Sequence, residues 1–125
     1  MILVDTSVWI DHLREGNSRL SSALSEGTVL IHPLVIEEIA CGNLSNRNEI
    51  LDLLNSLPKA SVASHAETLE FIKREKLHGV GIGAIDVHLL ASARLVGAKV
   101  WSHDKALCRQ ARKLGILANP EHGSA

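Results

Sequence analysis

Aromatic side chains are nearly absent: the 125 residues include one Phe, two Trp and no Tyr. The core must therefore be packed from Leu, Ile, Val and Ala, and no stacking platform of the kind that grips single-stranded bases is available. An excess of either charge is missing too. Thirteen Lys and Arg stand against 14 Asp and Glu, a formal net charge of −1. No bulk positive field advertises a polyanion binder, although a local basic rim is compatible with that balance. There are only two cysteines, Cys41 and Cys108, without metal-ligand or redox spacing. Each is expected as a small buried hydrophobe rather than a disulfide partner. No apolar run approaches the length of a membrane span. The apolar start meets Asp5 at once, unlike a signal peptide. These features fit a cytoplasmic protein. None of the seven histidines pairs with another at H-x-x-x-H spacing, which argues against a zinc site or a histidine base.

What is present is an alternation of short apolar runs and amphipathic stretches. Hydrophobic residues make up 46% of the chain, enough for one domain filling residues 1–125, with 119–125 as a frayed tail. Ile2-Leu3-Val4 reads as a short buried strand ending at Asp5. Thr6 and Ser7, both N-cap types, introduce a helix carrying Val8, Trp9, Ile10 and Leu13. A helix over 18–25 stops at Gly27, and Thr28 to Ile31 reads as a second strand. Pro33 suits the first turn of a helix with Val35, Ile36, Ile39 and Ala40 inward. Asn46 to Leu57 forms another, with Ile50, Leu51, Leu53, Leu54 and Leu57. Lys59 to Ala63 is a candidate strand.

Ser64 and Glu67 form a capping box for a helix to Leu77, with Leu69 and Ile72 facing in. A glycine loop, His78 to Gly83, precedes a helix over 84–96 with Ile85, Leu89, Ser92, Ala93 and Val96 on one face, closed by Gly97. Lys99 to Ser102 is a strand, Lys105 to Leu114 a helix, and Ile116 to Ala118 an edge strand. This alternation predicts an α/β fold with a parallel sheet covered on both faces.

Four acids stand out. Asp5 and Asp104 each follow a strand, and in a parallel sheet both lie at the carboxyl edge, where ligands bind. Asp86 sits in the first turn of its helix, and Glu38 on the apolar helix VIEEIA. Each also has an ordinary reading: Asp5 and Asp104 as helix caps, Asp86 as a complement to the helix dipole, Glu38 as a surface acid. If the four converge, they repel one another unless a cation neutralises them. An all-oxygen set suits Mg²⁺ or Mn²⁺, ions that activate water and stabilise charge on a phosphate in flight.

The segments LVDTSVWIDHLR, HPLVIEEIACGNL and GIGAIDVHLLASARLVGAKVWSHDKAL, in that order, resemble the PIN domain, and within it the VapC toxins of type II toxin–antitoxin systems. The resemblance spans nearly the whole chain. It implies a three-layer α/β/α sandwich with a central parallel sheet and a Mg²⁺- or Mn²⁺-dependent endoribonuclease. It also implies an RNA substrate, a cognate VapB-type antitoxin and a homodimer. By this resemblance Asp5, Glu38, Asp86 and Asp104 are the catalytic and metal-holding acids, and Thr6, Ser7 and Ser102 support them. Arg14, Arg47, Lys73, Arg74 and Lys105 are candidate RNA-gripping rim cations.

Three other readings compete. A haloacid-dehalogenase-like phosphatase needs a second Asp at position 7, where Ser7 stands. A receiver-like signalling domain needs a pair of acids near the start, where only Asp5 is found. A catalytically inactive PIN-fold module that binds RNA or protein is disfavoured by the four intact acids.

Overall fold

A computed structural model describes residues 1–118; the tail 119–125 lies outside the described residues. The elements run β1 (Ile2–Val4), α1 (Thr6–Glu15), α2 (Ser18–Ser25), β2 (Val29–Leu30), α3 (Pro33–Ala40), α4 (Arg47–Ser56), α5 (His65–Glu75), α6 (Ala84–Val96), β3 (Lys99–Trp101) and α7 (Lys105–Lys113). Helices flank a central parallel sheet in the order β2-β1-β3. Single parallel bridges extend it at both edges, Ile31 to Lys59 and Val100 to Leu117. The candidate strands at 59–63 and 116–118 are thus reduced to one bridge each. At 59–63, Ile31 N donates to the Pro58 carbonyl and Ala60 N to the Ile31 carbonyl before the chain leaves for α5.

β1 is central because it is apolar on both faces: Leu3 and Val4 are completely buried, as are Val100 and Trp101 beside them on β3. A strand buried on both faces is the mark of a parallel sheet under two helical layers. The chain moves to one side of β1 for β2 and to the other for β3. The cleft past the ends of β1 and β3 is therefore a topological switch point, where open α/β sheets place ligands. Asp5 N donates to the Trp101 carbonyl (2.9 Å), tying the two strand ends together at that cleft.

The helix termini follow their sequence signals. Ser64 and Glu67 make both bonds of the capping box. Gly97 takes the left-handed conformation (φ 68°) that closes α6. Helix facing departs from expectation at several apolar residues. Leu53, Leu69 and Val96 are exposed. α4 buries only Leu54, and α5 turns Thr68 and Phe71 inward instead of Leu69. Cys41 is exposed and Cys108 half-buried, so neither is a core hydrophobe. The Cys108 Sγ donates to the Ser102 carbonyl at 3.2 Å.

Candidate active site

Asp5 is the residue at which β1 hands over to α1. Its position admits a helix cap or a functional acid, and its side chain makes no capping bond. It is 5% exposed, and a buried carboxylate needs donors. Two hydroxyls serve: Ser7 Oγ and Ser102 Oγ each donate to Asp5 Oδ2 at 2.7 Å. Charge-assisted bonds of this kind contribute about 1.5–3 kcal/mol each. Thr6 and Ser7 are N-cap types, yet the structure places both inside α1, with their hydroxyls turned to acids.

Ser102 links two of the four acids. Its hydroxyl donates to Asp5 and accepts from Asp104 N at 2.9 Å. Asp104 N-caps α7, its Oδ1 accepting from Leu107 N at 2.9 Å. Capping occupies one carboxylate oxygen and fixes the rotamer. Asp86 is held similarly at the start of α6, its Oδ2 accepting from Gly83 N at 3.3 Å. On α3, Glu37 and Glu38 are both exposed. Thr6 Oγ1 distinguishes them by donating to Glu38 Oε1 across 32 positions of sequence.

The four carboxylates share one field. Burial raises the Asp86 carboxyl from its ordinary 3.8 to about 6; the Gly83 N–H opposes this, and the charges of Asp5, Asp104 and Glu38 add to it. Asp86 thus feels the charge of each of the other three acids. Among the described residues no three His, Cys, Asp or Glu side chains close around a single point as a ready-made metal cage. Each acid is instead engaged with its own protein donor.

A buried polar bridge sets α3 against α6. His32 N-caps α3, its Nδ1 accepting from Leu34 N at 3.0 Å. With Nδ1 an acceptor, the neutral ring carries its proton on Nε2, which lies 3.1 Å from Ser92 Oγ on α6. Burial, and then the neighbouring His88, lower the His32 ring from 6.5 to about 4, so it is neutral near pH 7. The bridge joins the helix carrying Glu38 to the helix carrying Asp86. Nothing in the sequence pairs His32 with Ser92; only the fold does, by bringing the N-cap of α3 against α6. The His103–Asp11 pair (2.7 Å) at the mouth of the cleft is likewise a product of the fold. Its only local signal is that Asp11 lies one helical turn beyond Ser7.

The rim cations scatter. Arg47 donates to the Ala40 and Gly42 carbonyls, and Arg74 pairs with Glu75. Arg14 lines a recess with Leu13 and Asn43. Of the five, Lys105 alone lines a cavity that also includes Ser102. A separate apolar hollow of about 450 Å³ between α5 and α6, lined by Phe71, Ala91 and Leu95, contains none of the four acids.

A family model of the PIN domain matches residues 2–113. Ribonuclease VapC32 of Mycobacterium tuberculosis, in strain CDC 1551 / Oshkosh and in strain ATCC 25618 / H37Rv, is 46% identical over 122 residues, covering 97% of this chain and 98% of that protein. Two solved structures share the fold. FitAcB from Neisseria gonorrhoeae aligns with a TM-score of 0.63 at 22% identity, over 90% of this chain and 94% of that one. FitAB bound to an IR36 DNA fragment aligns at 0.62 and 21%, over 90% and 91%. The parallel sheet, the order of its elements and these matches agree: the chain belongs to the PIN domain family and is a VapC-type member of it.

Proposed function

We propose that this protein is the endoribonuclease toxin of a type II toxin–antitoxin system, one PIN domain acting on RNA in the cytoplasm with Mg²⁺ or Mn²⁺. The observation that carries the reading is Asp5, a buried carboxylate locked by two serine hydroxyls at the switch point of the sheet. Its likeness to Ribonuclease VapC32 supplies the class of reaction. The donor chemistry fits a hard divalent cation: four carboxylates, no sulfur, and a surplus of negative charge that a cation relieves. Asp5 and Asp86 would hold such an ion, with Glu38 and Asp104 completing the set.

A divalent ion bound there supplies Lewis-acid polarisation of the phosphodiester and neutralises its developing charge. The protein's own groups supply orientation. Ser7 and Ser102 fix the plane of Asp5 through Oδ2. Thr6 restrains Glu38 on an exposed helix face. The N-cap bond to Leu107 N holds Asp104 at the strand end. Rigid placement of this kind is what a phosphoryl-transfer site demands.

The partners that go with this reading are a VapB-type antitoxin and a second copy of the chain. The experiment compares RNA cleavage by the wild type with Asp5→Asn, Glu38→Gln, Asp86→Asn and Asp104→Asn. Loss of cleavage in Asp5→Asn and Asp86→Asn, with helical circular dichroism retained, supports the assignment. Cleavage at the wild-type rate in either one contradicts it.

A further inference from the structure

We infer that the groove beneath α7 is the RNA-backbone track of this protein, with Lys105, Arg109 and Arg112 contacting successive phosphates. The inference rests on the ribonuclease reading above and names where its substrate lies. The groove encloses about 420 Å³ and is lined by Ser102, His103, the three cations and Leu117.

Charge in this chain is segregated in a way its overall balance conceals. α7 carries Lys105, Arg109, Arg112 and Lys113 and no acid. Four of the 13 cations thus stand in nine residues, and the rest of the chain, −1 less +4, carries a formal −5. All four are exposed. Among the described residues none of them has an ion pair or a side-chain hydrogen bond, whereas Arg47 and Arg74 are engaged with carbonyls or a carboxylate. Lys105 is also badly placed for its own helix. It is the first residue of α7, where the positive end of the macrodipole disfavours a cation.

The groove and the acid pocket share a wall. Ser102 lines the groove and donates to Asp5. A polyanion lying along α7 is therefore delivered to the carboxylates. Cations beside the acid pocket would add to the attraction of a bound divalent ion and steer the strand toward it. Lys105 to Arg112 spans about 10 Å of helix axis at 1.5 Å per residue. The three cations fall at i, i+4 and i+7, so they line one face of the helix along that length. With one Phe and two Trp in the chain, grip on the backbone is the means this protein has in place of base stacking.

The test uses the full chain with Mg²⁺ and a panel of single-stranded RNAs, from which one that the wild type cleaves is carried forward to the variants. Lys105→Ala, Arg109→Ala and Arg112→Ala are combined. The expected result is a KM raised tenfold or more with kcat within about threefold. In the Asp5→Asn background, which binds without cutting, the slope of log affinity against log salt should fall by about 2, at about 0.7 for each phosphate no longer neutralised. Arg109→Lys restored into the triple variant should recover part of the affinity. Lys99→Gln with Arg94→Gln, which remove cations outside the groove, should leave KM unchanged. A triple variant that melts like the wild type and keeps its KM and salt slope overturns the inference while the ribonuclease reading stands. The same holds if RNA binding is unchanged but affinity for polyglutamate is lost, which assigns the groove to an acidic protein. A wild-type chain that leaves RNA intact overturns both.

Discussion

Replacing Asp86 by Asn should make the protein inactive and at the same time more stable in the presence of a chelator. Asp86 is half-buried, and burial together with Asp5, Asp104 and Glu38 raises its carboxyl from 3.8 to about 6. At full burial that difference corresponds to about 3 kcal/mol of destabilisation once the group is ionised. Partial exposure and solvent screening reduce it to about 1–1.5 kcal/mol. The sign follows from proton linkage. The folded state holds the proton more tightly than the unfolded chain, so the contribution is fully present below pH 3.8 and is lost as pH rises through about 6. Asn has no proton to lose, and its side-chain oxygen still accepts from Gly83 N.

The variant should therefore match the wild type near pH 4 and exceed it above pH 6.5, by about 3–5 °C in Tm for a chain of this size. The assay is thermal unfolding by circular dichroism from pH 4 to pH 8 in EDTA. Adding Mn²⁺ at a hundred times its Kd should reverse the order, since binding stabilises the wild type by about 2.7 kcal/mol and leaves the variant unchanged. A variant less stable than the wild type at pH 7.5, or a difference that does not vary with pH, would refute the shared-field account of the four acids.

Other expectations follow from the hydrogen bonds. Ser102→Ala removes one of two donors to Asp5 and the acceptor for Asp104 N; it should cost about 1–3 kcal/mol in urea unfolding and at least tenfold in single-turnover cleavage. His32 is buried and neutral, its ring lowered to about 4. It contributes stability that is complete above pH 6.5 and is lost, by about 3 kcal/mol, as pH falls toward 4. His32→Asn keeps an N-cap oxygen and loses the reach to Ser92, so its unfolding free energy should be lower at pH 7.5 and should lack that acid decline. Gly81 adopts φ +86°, and a methyl added there would lie 3.5 Å from the Ala106 Cβ, so Gly81→Ala should cost about 1–2 kcal/mol in denaturant titration through backbone strain rather than collision.

Much of the frame can be read from local signals. Ile2 to Val4 is too apolar to face water on either side, and it ends at Asp5; the central strand and its terminal acid follow from that alone. Ser64 with Glu67, and Gly97 after Val96, mark helix ends by chemistry that operates within one turn. Facing is less legible. Leu53, Leu69 and Val96 match a 3.6-residue period as well as their buried neighbours do, and only the tilt of each helix on the sheet decides which row is covered. The sheet edges shrink to single bridges because β-branched residues report a preference for extended backbone, not the presence of a partner.

The site divides in the same way. Asp5 and Asp104 are visible as strand-end acids. That Thr6 restrains Glu38, that Ser102 connects Asp5 with Asp104, and that His32 braces α3 on α6 all depend on contacts across 32 to 97 positions. The basic groove is half visible: Lys105 stands out beside Asp104, whereas Arg109 and Arg112 gain meaning only once α7 lies along the wall that ends at Ser102.

The most direct test is chelation and restoration on purified protein. A defined single-stranded RNA is incubated with the wild type in Mg²⁺, then in excess EDTA, then with Mg²⁺ restored, with Asp5→Asn in parallel. The wild type should show cleavage, arrest and recovery, and Asp5→Asn no cleavage at any stage. Cleavage that continues in EDTA, or that Asp5→Asn performs at the wild-type rate, contradicts the metal-dependent mechanism.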